Sequence, residues 1–243
     1  MRLALNLASL HSLLKSNPRE TLKKIVDSGF RNVELTALYC NSNQDFGDAL
    51  SEAGINAVTL HVQLHQLRSR FAEIVTNAHY LKVEWLVIPI VQLDEYGSGW
   101  ARLGEELAGI GHELETHNLR LAFHPNMAEF RPDGDHTGLE NLFEGSSRNL
   151  EFEFDLAQST KSNQNVIEWL TKLTNRVPLV SLDMRKGLAN EHHPVMVEWQ
   201  QAKPVAKSAG VQWVVLEGTE SSGDHFERLA ALYEIFSLDG ISN

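Results

Sequence analysis

The sequence predicts an α/β protein, a single-domain (β/α)8 barrel, on three observations. Short apolar runs alternate with longer amphipathic ones from end to end, the order expected of βα units around a parallel sheet. Eight of the short runs read as strands, and 243 residues is the length that eight such units need. Nothing divides the chain: it has no long stretch rich in Gly, Ser or Pro, no block of like charge and no tandem repeat, so residues 1–243 read as one domain. A doubly wound open sheet also fits the alternation, but no G-x-G-x-x-G or Walker-type loop follows any strand.

In chain order the predicted strands are LALNL (3–7), NVELT (32–36), NAVTLHV (56–62), WLVIPI (85–90), LRLAFH (119–124), LEFEFD (150–155), VPLVSLD (177–183) and VQWVVLE (211–217). Helical periodicity fills the gaps. PRETLKKIVDSG (18–29) opens with Pro18 in its first turn and closes on Gly29. Further helices are predicted over 45–54, 68–81, 100–117, 165–173, 193–210 and 225–236. Pro204 lies inside the 193–210 segment, where a proline removes one helical hydrogen bond, and predicts a kink or a break.

Composition narrows the partners. A formal charge of −11 and a pI near 5.4 exclude a protein built to hold a nucleic-acid backbone, because no segment supplies a basic stripe. The expected partner is a small molecule; association into a homo-oligomer is left open. One cysteine, Cys40, rules out an intrachain disulfide and fits a reducing compartment, with a small core residue as its expected role. The opening MRLALNLASL has the basic residue and apolar run of a signal peptide, but Asn6 interrupts the run and a strand explains it better. The most apolar stretch, WLVIPIV (85–91), is far too short to span a bilayer. A soluble, cytoplasmic protein with no membrane association is expected.

LEFEFDLAQ (150–158) alternates so strictly that Glu151, Glu153 and Asp155 share one strand face and Phe152 and Phe154 the other. In a barrel one face points inward, and its last residue lies at the C-terminal mouth, where active sites of this architecture form. Asp155 is that residue, with Glu153 and Glu151 progressively deeper. Buried carboxylates need partners. The phase of the fifth strand, counted back from His124, turns Ala122 and Arg120 inward, so Arg120 is expected to neutralise Glu151 or Glu153. The same count on every strand collects Asn6, Glu34, His61, His124, Asp155, Ser181 with Asp183, and Glu217 at the mouth. Polar residues at the end of nearly every strand point to a catalytic or binding site.

Four pieces of the chain, IVDSGFRNVEL (25–35), FHPNMAEF (123–130), EFDLAQ (153–158) and VQWVVLEGTESSGDHF (211–226), resemble the sugar phosphate isomerase/epimerase superfamily, the xylose-isomerase-like TIM barrels. FHPNMAEF is similar to that family's His-Asn-His…Glu-Phe element. The resemblance implies one divalent metal with ligands from strands five to eight, which maps onto His124, Asp155, Ser181 and Glu217. Serine is a poor metal ligand, and SLDM stands here where the family reads approximately His-Leu-Lys-Asp. Asp183, on the same strand face as Ser181, is the expected replacement, with His192 or His193 from the following loop as the other candidates; both histidines otherwise read as solvated. One imidazole with three carboxylates (His124, Asp155, Asp183, Glu217) suits Mn²⁺ or Mg²⁺, and Zn²⁺ is also compatible.

The resemblance further implies an isomerase or epimerase acting on a small sugar or keto-sugar by metal-assisted proton transfer next to a carbonyl. Glu217 is the candidate base, and His124 the candidate ligand or second acid–base group. Glu34, His61, Asn126, Glu129 and Arg185 are candidate substrate contacts; Arg131 and Lys186 lie in mouth loops and otherwise read as solvated. A metal-dependent dehydratase or lyase acting on a polyol would use nearly the same ligands. A degenerate barrel that binds a carbohydrate or a protein partner without catalysis is the third reading.

Overall fold

The computed structural model describes residues 1–36, 42–91, 99–185, 193–218 and 225–243. Cys40, Lys186 and His192 lie outside the described residues. Eight parallel strands close into a barrel: β1 (Arg2–Asn6), β2 (Asn32–Leu35), β3 (Asn56–His61), β4 (Trp85–Ile88), β5 (Arg120–Phe123), β6 (Leu150–Asp155), β7 (Leu179–Asp183) and β8 (Trp213–Glu217). Each strand pairs with its sequence neighbours, and β8 closes onto β1 with Asn6 opposite Glu217. This is the predicted (β/α)8 barrel, and β6 has the predicted bounds. The other strands are shorter than their apolar runs by one or two residues at an end or slide by one, because ladder hydrogen bonds stop before the apolar sequence does. One short antiparallel pair, Pro132–Asp133 with His136–Thr137, lies apart from the barrel after β5.

The two faces of each strand feed different cores. Leu3, Leu5, Leu86, Ile88, Leu121, Phe123, Phe152, Phe154, Val180, Leu182, Val214 and Leu216 belong to the large cluster shared with the helices. Their alternate neighbours Ala4, Trp85, Val87, Ala122, Leu179, Trp213 and Val215 form, with Val58, a separate cluster, the packed barrel interior. Strand alternation therefore assigns most inward side chains, including the carboxylates of β6; between β2 and β3 the register shifts, and the adjacent Val58 and Thr59 both serve the interior.

Helices form close to where the pattern puts them. The first long helix, Pro18–Asp27, has Pro18 at its start and Asn17 as its cap, the side chain accepting from the Glu20 amide. Gly29 follows at φ +103°, and a Cβ there would meet the Tyr233 ring at 2.4 Å, so both the turn and the close packing require glycine. The 68–81 segment is two helices, Leu64–Ser69 and Phe71–Leu81, meeting at Arg70. Pro204 does not break its helix, which runs from Pro194 to Ser208. Trp199, Ala202 and Ala206 are buried on both sides of it, and their packing holds the helix through one lost hydrogen bond. A helix at Gly138–Gly145 was not predicted, although its capping box, Thr137 with Glu140, is a sequence signal that marks it. Among the described residues no helix is long and apolar enough to cross a membrane.

At the N-terminal end of the barrel two arginines lie over inward tryptophans: Arg2 over Trp213 at 3.8 Å and Arg120 over Trp85 at 4.5 Å. Arg120 pairs with Glu151, one of the two partners the strand phase allows, and also reaches Glu84 at 3.1 Å. Glu151 accepts a second bond from Trp85 Nε1 at 2.8 Å. Burial pushes the Glu151 carboxyl up, and Trp85 and Arg120 draw it back. Arg120 pairs with Glu151 rather than Glu153, which lies deeper between two imidazoles. About a third of the Arg120 side chain is exposed, so the pair stands between an open surface pair at ~0–1 kcal/mol and a buried one whose breaking costs ~3–5 kcal/mol. Arg120→Ala is expected to destabilise the fold by about 2 kcal/mol in urea denaturation. A change below about 0.5 kcal/mol would show that the pair is held only by its surroundings.

Candidate active site at the barrel mouth

Asp155 ends β6 and begins the helix Leu156–Lys161. One of its oxygens, Oδ1, caps that helix by accepting from the Gln158 amide at 3.0 Å. Its other oxygen, Oδ2, is 3.6 Å from His124 Nε2. The cap thus fixes the carboxylate and leaves one oxygen for the site. Ligand atoms of His124, Asp155 and Glu217 lie within 4.8 Å of one another, gathered from the ends of β5, β6 and β8.

His124 is buried, and its other nitrogen, Nδ1, lies 3.5 Å from Glu153 Oε1. Burial pulls the His124 imidazole down, but Asp155 and Glu153 outweigh it and hold the ring protonated well above its ordinary range. Glu153 is fully buried, and its Oε2 is 3.8 Å from His61 Nε2. Burial pushes this carboxyl up, while His124 and His61 outweigh burial and keep it ionised. His61 Nε2 is also 3.3 Å from Glu34 Oε2. Glu34 accepts from Asn6 Nδ2 at 2.7 Å and Thr59 Oγ1 at 2.6 Å, so β1, β2 and β3 are tied by one carboxylate. Thr59 was not foreseen, although it stands in phase with His61.

On the other side, Ser181 donates to Glu217 Oε1 at 3.4 Å. Both Asp183 oxygens accept from Arg185, at 2.9 and 2.8 Å, and the guanidinium reaches Glu217 Oε2 at 3.3 Å. Burial raises Asp183, but Arg185 outweighs it and holds the carboxyl low. The fork therefore occupies the carboxylate expected to replace the missing imidazole, and Asp183 stands outside the three-residue group. Arg185, expected to meet substrate, is committed first to these two acids. Glu217 keeps a half-sheltered carboxyl pushed up to about 7 by burial and by Asp155, against Arg185 and His124.

The loop after β5 is held from within. Asn126 donates to the carbonyls of Pro89 at 2.7 Å and His124 at 3.0 Å, and its amide donates to Glu129 Oε2 at 2.8 Å. Glu129 is buried, and burial raises its carboxyl against two backbone hydrogen bonds. Arg131 is exposed, as expected. His193, read as solvated, is instead buried, and its Nδ1 caps the helix Pro194–Ser208 by accepting from the Val195 amide. The following Pro194 at a first-turn position is the signal that marks that cap. A cavity of about 410 Å³ opens at the ends of β2, β3 and β4, lined by His61 with Asn43, Gln63, Gln66, Asn77 and Arg70. Its amides come from the segments around β3 and carry no motif.

No protein-family model matches the chain, and no curated protein matches it in sequence. Solved structures do match. Two sugar phosphate isomerase/epimerases from Parabacteroides distasonis align at TM-scores of 0.80 and 0.77, with 13% and 17% identity, over 97% and 95% of this chain and 97% and 91% of theirs. A D-psicose 3-epimerase aligns at a TM-score of 0.68 and 13% identity, over 95% of this chain and 90% of its own. The chain has the fold of the xylose-isomerase-like TIM barrels. At such identities the likeness is one of fold, and the chemistry of this xylose-isomerase-like barrel rests on its own side chains.

The imidazole of His61 offers a test of the interior charges. Burial lowers its pKa, but Glu34 and Glu153 outweigh burial and raise it from 6.5 to about 10. A folded-state value above the unfolded one stabilises the fold fully below pH 6.5, and the contribution is lost as pH rises through about 10. With a chelator present, the wild-type melting temperature is expected to decline from pH 6.5 to 10 more steeply than that of His61→Gln. Parallel profiles would remove the imidazolium from the interior charge balance.

Proposed function

We propose that this chain is a sugar isomerase or epimerase that transfers a proton on the carbon next to a carbonyl of a small sugar or keto-sugar. The observation that carries the reading is the convergence of His124, Asp155 and Glu217 from three strand ends. One nitrogen and two carboxylates fit a divalent cation such as Mn²⁺ or Mg²⁺, and they accommodate Zn²⁺. These three residues would hold the cation, whose chemistry there would be to polarise a carbonyl or hydroxyl oxygen of the substrate.

The rest belongs to the chain. With no cation beside it the Glu217 carboxyl is pushed up to about 7; a bound cation would lower it, and Glu217 would take up and return a proton through an oxygen the cation leaves free. Asp155 cannot swing away, because the cap holds its other oxygen. Arg185 orients Glu217 and offers the sugar a donor at the edge of the site. The cavity beside His61 suits a hydroxylated chain, since its amide side chains both donate and accept. Glu34, Asn126 and Glu129 have internal partners and act behind the surface that substrate meets.

A barrel that binds carbohydrate without metal is the competing reading, supported by Ser181 and by the hold of Arg185 on Asp183 and Glu217. Calorimetric titration of Mn²⁺ separates the two. Asp155→Asn is expected to weaken binding at least ~100-fold, beyond the ~10–100-fold effect of changes one shell out, and Ser181→His, beside Glu217, to tighten it. Absence of Mn²⁺ binding in the wild type would establish the competing reading. Incorporation of solvent deuterium into a panel of ketoses is expected in the wild type and to fall ~10²–10⁴-fold in Glu217→Gln. Exchange that survives this substitution would remove Glu217 as the base.

A further inference from the structure

One strand step below Asp155, a second set of donors faces the interior. Glu153 has no exposed surface, and neither of its oxygens has a hydrogen-bond partner among the described residues; the same holds for His61 Nε2 and His124 Nδ1. Four such atoms in one buried place are far above what packing tolerates unless something joins them. The contacts between them, 3.5 Å and 3.8 Å, are too long for charge-assisted hydrogen bonds, which close to about 2.7–2.9 Å.

We propose that His61 Nε2, His124 Nδ1 and a Glu153 oxygen form a second divalent-metal site, of a kind suited to zinc, beneath the His124–Asp155–Glu217 group. The three residues offer ligand atoms all within 4.8 Å of one another. A tetrahedral ion with bonds of about 2.0–2.2 Å sets its ligands roughly 3.3–3.5 Å apart; His124 Nδ1 is 3.5 Å from one Glu153 oxygen and His61 Nε2 3.8 Å from the other, and an ion would draw the three ligand atoms together from within 4.8 Å. Two imidazoles and one carboxylate are a donor set that zinc takes while keeping a fourth position open. Glu34, engaged by Asn6 and Thr59, lies 3.3 Å from this same His61 Nε2, so an ion at the site takes the place of that contact. The entry path is the mouth cavity, whose wall includes His61.

The site does not rest on the isomerase reading, since it uses neither Asp155 nor Glu217. It does share His124, whose Nδ1 faces the lower site and Nε2 the upper group. A neutral imidazole ligates through one nitrogen only, so with both ions bound the ring would bridge them as an imidazolate, its N–H protons released to solvent.

The test is zinc content per chain, by elemental analysis after dialysis against Zn²⁺, for wild type, His61→Gln, Glu153→Gln and Glu217→Gln, with circular dichroism to verify folding. Wild type is expected to hold two ions, and His61→Gln and Glu217→Gln one each. Glu153→Gln alters a fully buried residue; His61→Gln, at the cavity wall, keeps the test valid if that variant does not fold. A single ion lost in His61→Gln and kept in Glu217→Gln would uphold the lower site and remove the upper one. A single ion kept in His61→Gln, a single ion lost in both variants, or no ion in the wild type would overturn the proposal.

Discussion

Glu153 carries a carboxylate into the barrel interior with no exposed surface, and the two imidazoles beside it offset part of the cost. An ion buried alone costs several kcal/mol, more than any one packing contact returns. The requirement propagates. His124 is drawn to Glu153 by one nitrogen and to Asp155 by the other, and His61 is held between Glu153 and Glu34. Acid and imidazole thus alternate in the order Glu34, His61, Glu153, His124, Asp155, linking side chains from β2, β3, β5 and β6. The order is electrostatic, and it sets where each donor atom at the mouth points.

The two flanks of this chain of charges differ. Beyond Asp155 the acids of β7 and β8 are gathered by Arg185, whose fork matches the Asp183 carboxylate. Beyond His61 the wall opens into a cavity lined by amides. A tightly paired acidic flank and an amide-rich one, with Arg70 and Glu73 at its wall, give the mouth a direction: we place proton chemistry with Glu217 and recognition of hydroxyl groups near β3.

Local backbone requirements do double duty. Asp155 is both a helix cap and a site residue, and Glu129 both closes the loop after β5 and lies near His124. Where one residue meets a structural need with one oxygen and a functional one with the other, its position is fixed without any further contact.

The strand period of two is a local property, and it was legible throughout: the eight strands, the inward face of β6 and the mouth residues Asn6, Glu34, His61, His124, Asp155, Ser181, Asp183 and Glu217 all follow from it. Strand period also narrows the partner of Arg120 to Glu151 or Glu153, and the structure selects Glu151. Partner choice is different, because it depends on distances between residues far apart in sequence. No periodicity says that Glu153 turns to His61 and His124, that Arg185 folds back on Asp183, or that His193 is a buried cap. Pro204 marks the same boundary from the other side: its local rule predicts a disturbed helix, and the burial of Trp199, Ala202 and Ala206 overrides it. By itself the sequence determined the barrel, most of its inward-facing residues and the donor types at its mouth. The tertiary structure alone decided which donor meets which, because buried charges take the partner that three-dimensional packing brings within reach.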